Sequence, residues 1–325
     1  MFLKRVLERA SMLFLPVNQS GATGTVGFSG WFNSLMAVDI DNDRDLDIVA
    51  GNKGMNSFLK ATTDEPLKVY WTDLDGSGNI DFWLSYTRNN KEYPVFGLEE
   101  MLTAYPLFMN KRFTDYNEFA GKSVFEVFGE ENCKKQSMKA TEFNSLLLRN
   151  SDAVFSLEYL PRLVQSGPIF GIAAADLDEN GFLDIVGMGN SYSPRVQHGR
   201  DDALHGFLLM NDGKALQFSQ GINNGFYVPG DAKSLVWIDL KGKSLSLVAN
   251  QNNDKSKVFS LKSKNLTFKA SPPRASKAVV SLKNGGDRIE NLTPGSGYLS
   301  ASRPGVWINS QVKSVQFFDV NGNKL

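Results

Sequence analysis

DLDENGFLD, residues 176–184, places an oxygen donor at positions 1, 3, 5 and 9 of a nine-residue string: Asp176, Asp178, Asn180 and Asp184. Position 7, Phe182, offers its backbone carbonyl. The string occurs twice more. DIDNDRDLD (39–47) supplies Asp39, Asp41, Asp43, Asp45 and Asp47, and DLDGSGNID (73–81) supplies Asp73, Asp75, Ser77, Asn79 and Asp81. Calcium takes six to eight hard oxygen ligands at roughly 2.3–2.6 Å, and alternate residues of a tight loop can converge on one such point. Gly at position 6 (Gly78, Gly181) supplies the positive φ that reverses the chain. One such string is compatible with a solvated acidic turn. Three in register read as calcium loops, so up to three Ca2+ sites are expected.

The flanks decide what kind of loop this is. An EF-hand needs a bidentate Glu at position 12 and helices on both sides. Position 12 here is Ala50, Leu84 and Gly187, which excludes it. The neighbouring stretches SLMAV, KVYWT and FGIAAA before the loops, and LDIVAGN, IDFWLSY and LDIVGMGN after them, are short and apolar and end at turn residues. Each loop is therefore expected at the tip of a β-hairpin. A fourth, decayed copy, LVWIDLKGKSLSLVANQN (235–252), keeps Asp239 but puts Lys241, Lys243 and Leu247 at positions 3, 5 and 9. Cations at two ligand positions cannot bind calcium.

Spacing sets the architecture. From Asp176 to Asp239 is 63 residues, room for a four-stranded antiparallel unit, with a second hairpin (205–220) turning at Asn211-Asp212-Gly213. Its counterpart ahead of the third loop is FNSLLLRNSDAVFSLEYLP (143–161). Repeated units of this kind point to propeller blades, which stack and bury faces that no single blade can cover. The expected fold is all-β: a partial β-propeller of about four blades over residues 25–270, after a poorly defined segment 1–24, and then a small β domain, 273–325. Asp39 to Asp73 spans only 34 residues and Asp73 to Asp176 spans 103, so the first blade is expected to be abbreviated and the second to carry an insertion. That insertion, about 97–140, has apolar residues at helical spacing, among them Phe119, Val124, Val127 and Phe128. It reads as a structural lid or brace before it reads as a substrate cap.

The hairpins, with GNKGMN (51–56) and Gly-Trp-Phe-Asn-Ser (30–34), resemble the integrin-alpha-like FG-GAP/VCBS-repeat proteins, closest to long surface or secreted members of Bacteroidetes type. In those, a KEYP stretch followed by helices interrupts a blade, as residues 91–94 and 111–113 suggest here. The tail, with VVSLKNGGDRIENLTPGSGYLSAS (279–302) and VKSVQFFDVNGNKL (312–325), is similar to the ASPIC/UnbV region that follows such propellers. Two loops depart from the pattern. Arg44 replaces Gly at position 6, a conformation that costs about 1 kcal/mol in a non-Gly residue, and its charge opposes a metal. Ser77 is a weak, neutral donor at position 5. The third loop is the most regular.

Composition narrows the function. Lysine plus arginine and aspartate plus glutamate are equal at 35 each, which argues against an electrostatic grip on nucleic acid or anionic membrane. One cysteine, Cys133, excludes an intrachain disulfide framework, leaving calcium to do the stapling. Weak sites of this kind fill where calcium is near millimolar, outside the cytoplasm. MFLKRVLERASMLFLPV starts basic, but Glu8 and Arg9 break the apolar run short of a signal peptide, and no run has transmembrane length. Four blades are few for a closed ring. Met1 is thus read as starting inside a longer protein, with ring closure by self-association as the alternative.

For catalysis there is no G-x-S-x-G, H-E-x-x-H or Walker loop. The two histidines, His198 and His205, lie in VQHGRDDALHG with Arg200, Asp201 and Asp202. That stretch reads as a polar inter-strand loop; its rival reading is a face pocket in which Arg200 grips a carboxylate. Trp31, Trp71, Trp83 and Trp237 read as core. The favoured function is an extracellular or cell-surface binding module presenting a protein or glycan site on its loops. The alternative is a polysaccharide lyase or hydrolase acting near the helical insertion and residues 197–202.

Overall fold

The computed structural model describes residues 28–194, 198–239, 245–261, 266–295 and 297–325. The N-terminal segment 1–24, Gln197, Lys241 and Lys243 lie outside them. β1 (Ser34–Val38) and β2 (Asp47–Gly51) flank the first acidic string as an antiparallel hairpin, with Val38 opposite Asp47. Ser34, Met36 and Val38 are buried while Leu35 and Ala37 are less so, the two-residue period of a strand with one face in a core.

The chain then leaves this sheet. β3 (Leu67–Thr72), β4 (Asp81–Arg88), β5 (Lys91–Pro94) and β6 (Ser137–Ala140) form a sheet of order β5-β4-β3-β6 in a compact unit of its own, residues 58–143 with the described residues up to Trp31. Between β5 and β6 run five short helices: α1 (Leu98–Ala104), α2 (Pro106–Met109), α3 (Tyr116–Phe119), α4 (Val124–Phe128) and α5 (Glu130–Lys135). Ser123 caps α4 reciprocally with Glu126, which fixes where that helix begins. The helices cover the sheet with aromatic rings: Trp83, fully buried, stacks on Phe128 at 4.2 Å and on Tyr70 at 5.6 Å. Val124, Val127 and Cys133 complete this cluster, so the helical region is the core of its unit.

β7 (Leu146–Ser151) and β8 (Val154–Tyr159) return to the first hairpin and complete a four-stranded sheet, β1-β2-β7-β8, with Ile48 opposite Leu148. This corrects the expected layout. The first repeat is complete, and the second acidic hairpin belongs to the unit that interrupts it. Most of β2 is buried and its edge needs a ladder partner; the apolar Leu-Leu-Leu run of β7 supplies one across the interruption.

β9 (Ile169–Ala175), β10 (Asp184–Gly189), β11 (Phe207–Asn211) and β12 (Leu216–Gln220) make the next sheet in sequential order, and β13 (Ala232–Asp239), β14 (Leu245–Gln251) and β15 (Lys257–Ser260) the one after. Met36, Val38, Ile172 and Ile185 share one core; Ala173, Val186, Leu235 and Leu247 share the next. The last residue of β10 is glycine because a Cβ at Gly189 would sit 1.6 Å from the carbonyl oxygen of Pro168.

The tail contributes β16 (Thr267–Ala270), β17 (Lys277–Leu282), β18 (Asp287–Asn291), β19 (Gly305–Ile308) and β20 (Val312–Phe318). β16 precedes the boundary expected at 273 yet pairs with β19, while β18-β17-β20 form a separate sheet. The segment after β18 crosses β1, β9 and β13, the leading strands of three of the preceding sheets. Gly297 N–H donates to Leu35 O at 3.2 Å and Tyr298 N–H to Phe170 O at 3.0 Å. Ser300 Oγ and Ser302 Oγ accept from the N–H groups of Leu235 and Trp237. The protein is thus mostly β, in antiparallel sheets. Among the described residues no helix is long and apolar enough to cross a membrane.

Candidate metal loops

All three acidic strings fold into one backbone. Eight residues separate the paired strand ends in each: 39–46, 73–80 and 176–183. Positions 4 and 6 both have positive φ, at Asn42 (61°) and Arg44 (77°), Gly76 (77°) and Gly78 (84°), Glu179 (61°) and Gly181 (97°). Position 6 is legible from glycine; position 4 is not, because Asn and Glu stand there as well as Gly. The side chains then close the loop in a fixed way. The position-9 carboxylate accepts from the position-2 N–H at 2.8–3.0 Å, in Asp47 to Ile40, Asp81 to Leu74 and Asp184 to Leu177. The position-1 carboxylate accepts from the position-6 N–H, in Asp39 to Arg44, Asp73 to Gly78 and Asp176 to Gly181. The position-5 side chain accepts from the position-7 N–H, in Asp43 to Asp45, Ser77 to Asn79 and Asn180 to Phe182.

These bonds aim carboxylates inward. Oxygens of Asp39, Asp41 and Asp43 lie within 4.8 Å of one another, as do those of Asp73, Asp75 and Asp81, and of Asp176, Asp178 and Asp184. Each trio can hold a metal ion. Asp45 is not in the first trio, since its carboxylate accepts from Asp152 N–H at the turn between β7 and β8. Nor is Asp47, which accepts from Ile40 and Asn150 N–H as its counterpart Asp184 accepts from Leu177 and Asn211 N–H. Arg44 adopts the expected strained φ, but its guanidinium pairs with Asp287, so its charge is balanced there.

Burial makes these charges costly. It pushes Asp184 up to about 7 and Asp39 up to about 6, ahead of the N–H groups and neighbouring aspartates that also act on them. Burial likewise raises Asp47, Asp176 and Asp81. Asp73 is the exception: in the exposed second loop the Gly78 N–H and its neighbours hold it below the usual range. Asp39 Oδ1, Asp41 Oδ1 and Asn42 Oδ1 are buried and have no hydrogen-bond partner among the described residues, although buried oxygens are paired as a rule. Three acceptors without a donor, in one carboxylate loop, fit a hard cation.

A partner in the third strand was missed by the sequence reading. Asn150 and Asn211, at the ends of β7 and β11, give their N–H to Asp47 and Asp184 and their side-chain Nδ2 to the position-8 carbonyls of Leu46 and Leu183. The signal is present as Leu-x-Asn in both strands (148–150 and 209–211). Among the described residues the second loop has no such brace, since β5 pairs only with the far end of β4. Tail residues also reach the other two loops. Ile289 N–H donates to Asp39 Oδ2 at 2.8 Å and Asn309 Nδ2 to Asp176 Oδ2 at 2.6 Å. The buried Arg288 guanidinium lies 3.9 Å from Asp176 and is held by Glu290.

In the decayed fourth copy β13 and β14 pair with Asp239 opposite Leu245 and Trp237 opposite Leu247, a register that differs from the three acidic hairpins, where position 9 lies opposite the residue before position 1. In the stretch weighed as a ligand pocket, Arg200 stacks over Tyr192 at 4.2 Å and Asp201 pairs with Lys53. His205 packs on Tyr227. Trp83 is core as expected, whereas Trp31 lies outside any strand and is 40% exposed. No protein-family model matches this chain, and no curated protein matches it.

Proposed function

We propose that the chain is a calcium-stabilised β-propeller module acting outside the cytoplasm or at a cell surface, where it binds a protein or glycan ligand. The observation that carries this reading is the threefold recurrence of one loop backbone with converging carboxylates, in which buried oxygens of Asp39 and Asp41 have no donor among the described residues. Asp39, Asp41 and Asp43 would hold the first ion, Asp73, Asp75 and Asp81 the second, and Asp176, Asp178 and Asp184 the third, with position-7 carbonyls as further ligands. A bound divalent cation supplies positive charge where burial opposes three carboxylates. The chain's own contribution is to fix the hairpin tips, so that the loops beside them keep one conformation. What supports the propeller is the packing of successive sheets through β1, β9 and β13, each the leading strand of its sheet. Sites of modest affinity suit an extracellular setting, where calcium is near millimolar.

The test is a thermal melt in millimolar calcium against excess chelator, repeated on Asp176→Ala and Asp184→Ala. Calcium at a hundredfold excess over Kd adds about 2.7 kcal/mol per site, so the wild type should melt several degrees higher with calcium, and both variants should lose part of that rise. An unchanged wild-type melt would leave the strings as acidic turns and remove the main support for this function.

A further inference from the structure

Three consecutive residues of the tail strand β18 reach the acidic loops. β18 is the edge strand of the sheet β18-β17-β20, so one row of its N–H groups faces away from β17 and needs acceptors elsewhere. Ile289 finds one in a carboxylate 250 residues earlier: its N–H donates to Asp39 Oδ2 at 2.8 Å. The N–H of Arg44 donates to the same oxygen at 3.2 Å. Both bonds fall on Oδ2. Asp39 is fully buried, and its Oδ1 has no hydrogen-bond partner among the described residues. Asp287, two residues before Ile289 on the same strand, pairs with the guanidinium of Arg44. Arg288, between them, donates from Nη1 to Gly181 O in the third loop at 3.0 Å.

Both contacts at the first loop act in the direction a cation needs. A carboxylate ligand held by an outer-shell hydrogen bond has its orientation fixed before the metal arrives, and binds it more tightly. Ile289 does this to Asp39 through one oxygen and leaves the other. Arg44 is the loop's own obstacle, a positive charge where the other two loops have glycine, and Asp287 offsets it. At the third loop the same strand works the other way. The Arg288 guanidinium lies 3.9 Å from Asp176, and a fixed positive charge there disfavours a second one. We propose that the first loop and β18 form a calcium-dependent latch: the docked strand raises the cation affinity of Asp39, Asp41 and Asp43, through Ile289 on Asp39 and Asp287 on Arg44, and a cation held there fastens the tail to the first hairpin. Linkage makes the two effects equal, since the factor gained in ion affinity is the factor gained in docking. The latch rests on the metal reading of the first loop and extends it to a strand that supplies no ligand.

Calorimetric titration of the full chain with calcium chloride tests it, in an Asp75→Ala/Asp178→Ala background that leaves the first trio intact. Both replaced residues are exposed members of the other two trios. Asp287→Ala should weaken calcium binding about tenfold, the low end for losing an outer-shell partner, with the melting temperature in chelator as the check on folding. Adding Arg44→Gly should restore the affinity, because the charge that Asp287 offsets is then absent. Hydrogen–deuterium exchange reads the opposite direction of the coupling. In the same background calcium should slow exchange in residues 287–291 more than in β14. Asp41→Ala should abolish that difference, since it removes a ligand whose carboxylate pairs with Arg149 of β7. Calcium affinity unchanged in Asp287→Ala, a loss that Arg44→Gly does not restore, or equal slowing in β18 and β14 would overturn the latch and leave the metal site standing. No saturable calcium binding in this background would overturn the latch and the first metal site together.

Discussion

Asp184 keeps its carboxylate inside the protein, where it accepts from the N–H groups of Leu177 and Asn211, and Asp39 is placed in a similar way beside Ile289 and Arg44. Their values in the folded chain, about 7 and about 6, stand above that of an unfolded aspartate. The folded state therefore holds protons that the unfolded state has already released. Their contribution to stability is fully present below about pH 4 and is lost as pH rises through 6 and 7. In chelator the melting temperature should fall by several degrees between pH 5 and pH 8; in calcium, whose ligands are ionised, that fall should shrink or reverse. A chelated protein that gains stability across this range would refute the assigned burial. Asn211 allows a second test. Its Nδ2 serves the buried carbonyls of Ile40 and Leu183, so Asn211→Ala should cost about 2–4 kcal/mol in urea denaturation, against about 1 kcal/mol for the less buried Asn150→Ala.

At the scale of elements, hairpins were easy to read and their grouping was not. Alternation in SLMAV and the apolar runs after each string mark strands locally, and the acidic strings mark their tips. Which strand lies beside β2 depends on a ladder partner far along the chain, and nothing near residues 48–50 announces β7. Spacing between strings therefore misplaced the interruption. The candidate clusters were legible for the same local reason: their carboxylates stand at positions 1 and 3, with position 5 in the first loop and position 9 in the other two. Asn150 and Asn211 escaped because asparagine in a strand end reads as a turn residue. Because the sheet β1-β2-β7-β8 takes no strand from residues 58–143, replacing that stretch by a flexible linker of about eight residues should leave the remainder folded. Circular dichroism would then show lost helix signal with a cooperative melt retained. A non-cooperative melt would show that the interrupting unit is needed to hold the first sheet.

For the whole molecule, the tail is joined to the sheets it follows. It bonds to Leu35, Phe170, Leu235 and Trp237, and it donates to Asp39 and Asp176 in two loops. Truncation after residue 272 should thus lower the melting temperature of everything before it, where an independent C-terminal domain would leave that transition in place. The interrupted sheet has a further consequence, for synthesis. Ile48 and its partner Leu148 are 100 residues apart, so a chain emerging from the ribosome exposes the outer edge of β2 while the intervening unit is made. At roughly 5–20 residues per second this lasts for several seconds, with an unpaired strand edge open to the wrong neighbour. The first acidic loop is complete before that interval begins, and an ion seated there would hold the nascent hairpin in register until its partner strand arrives.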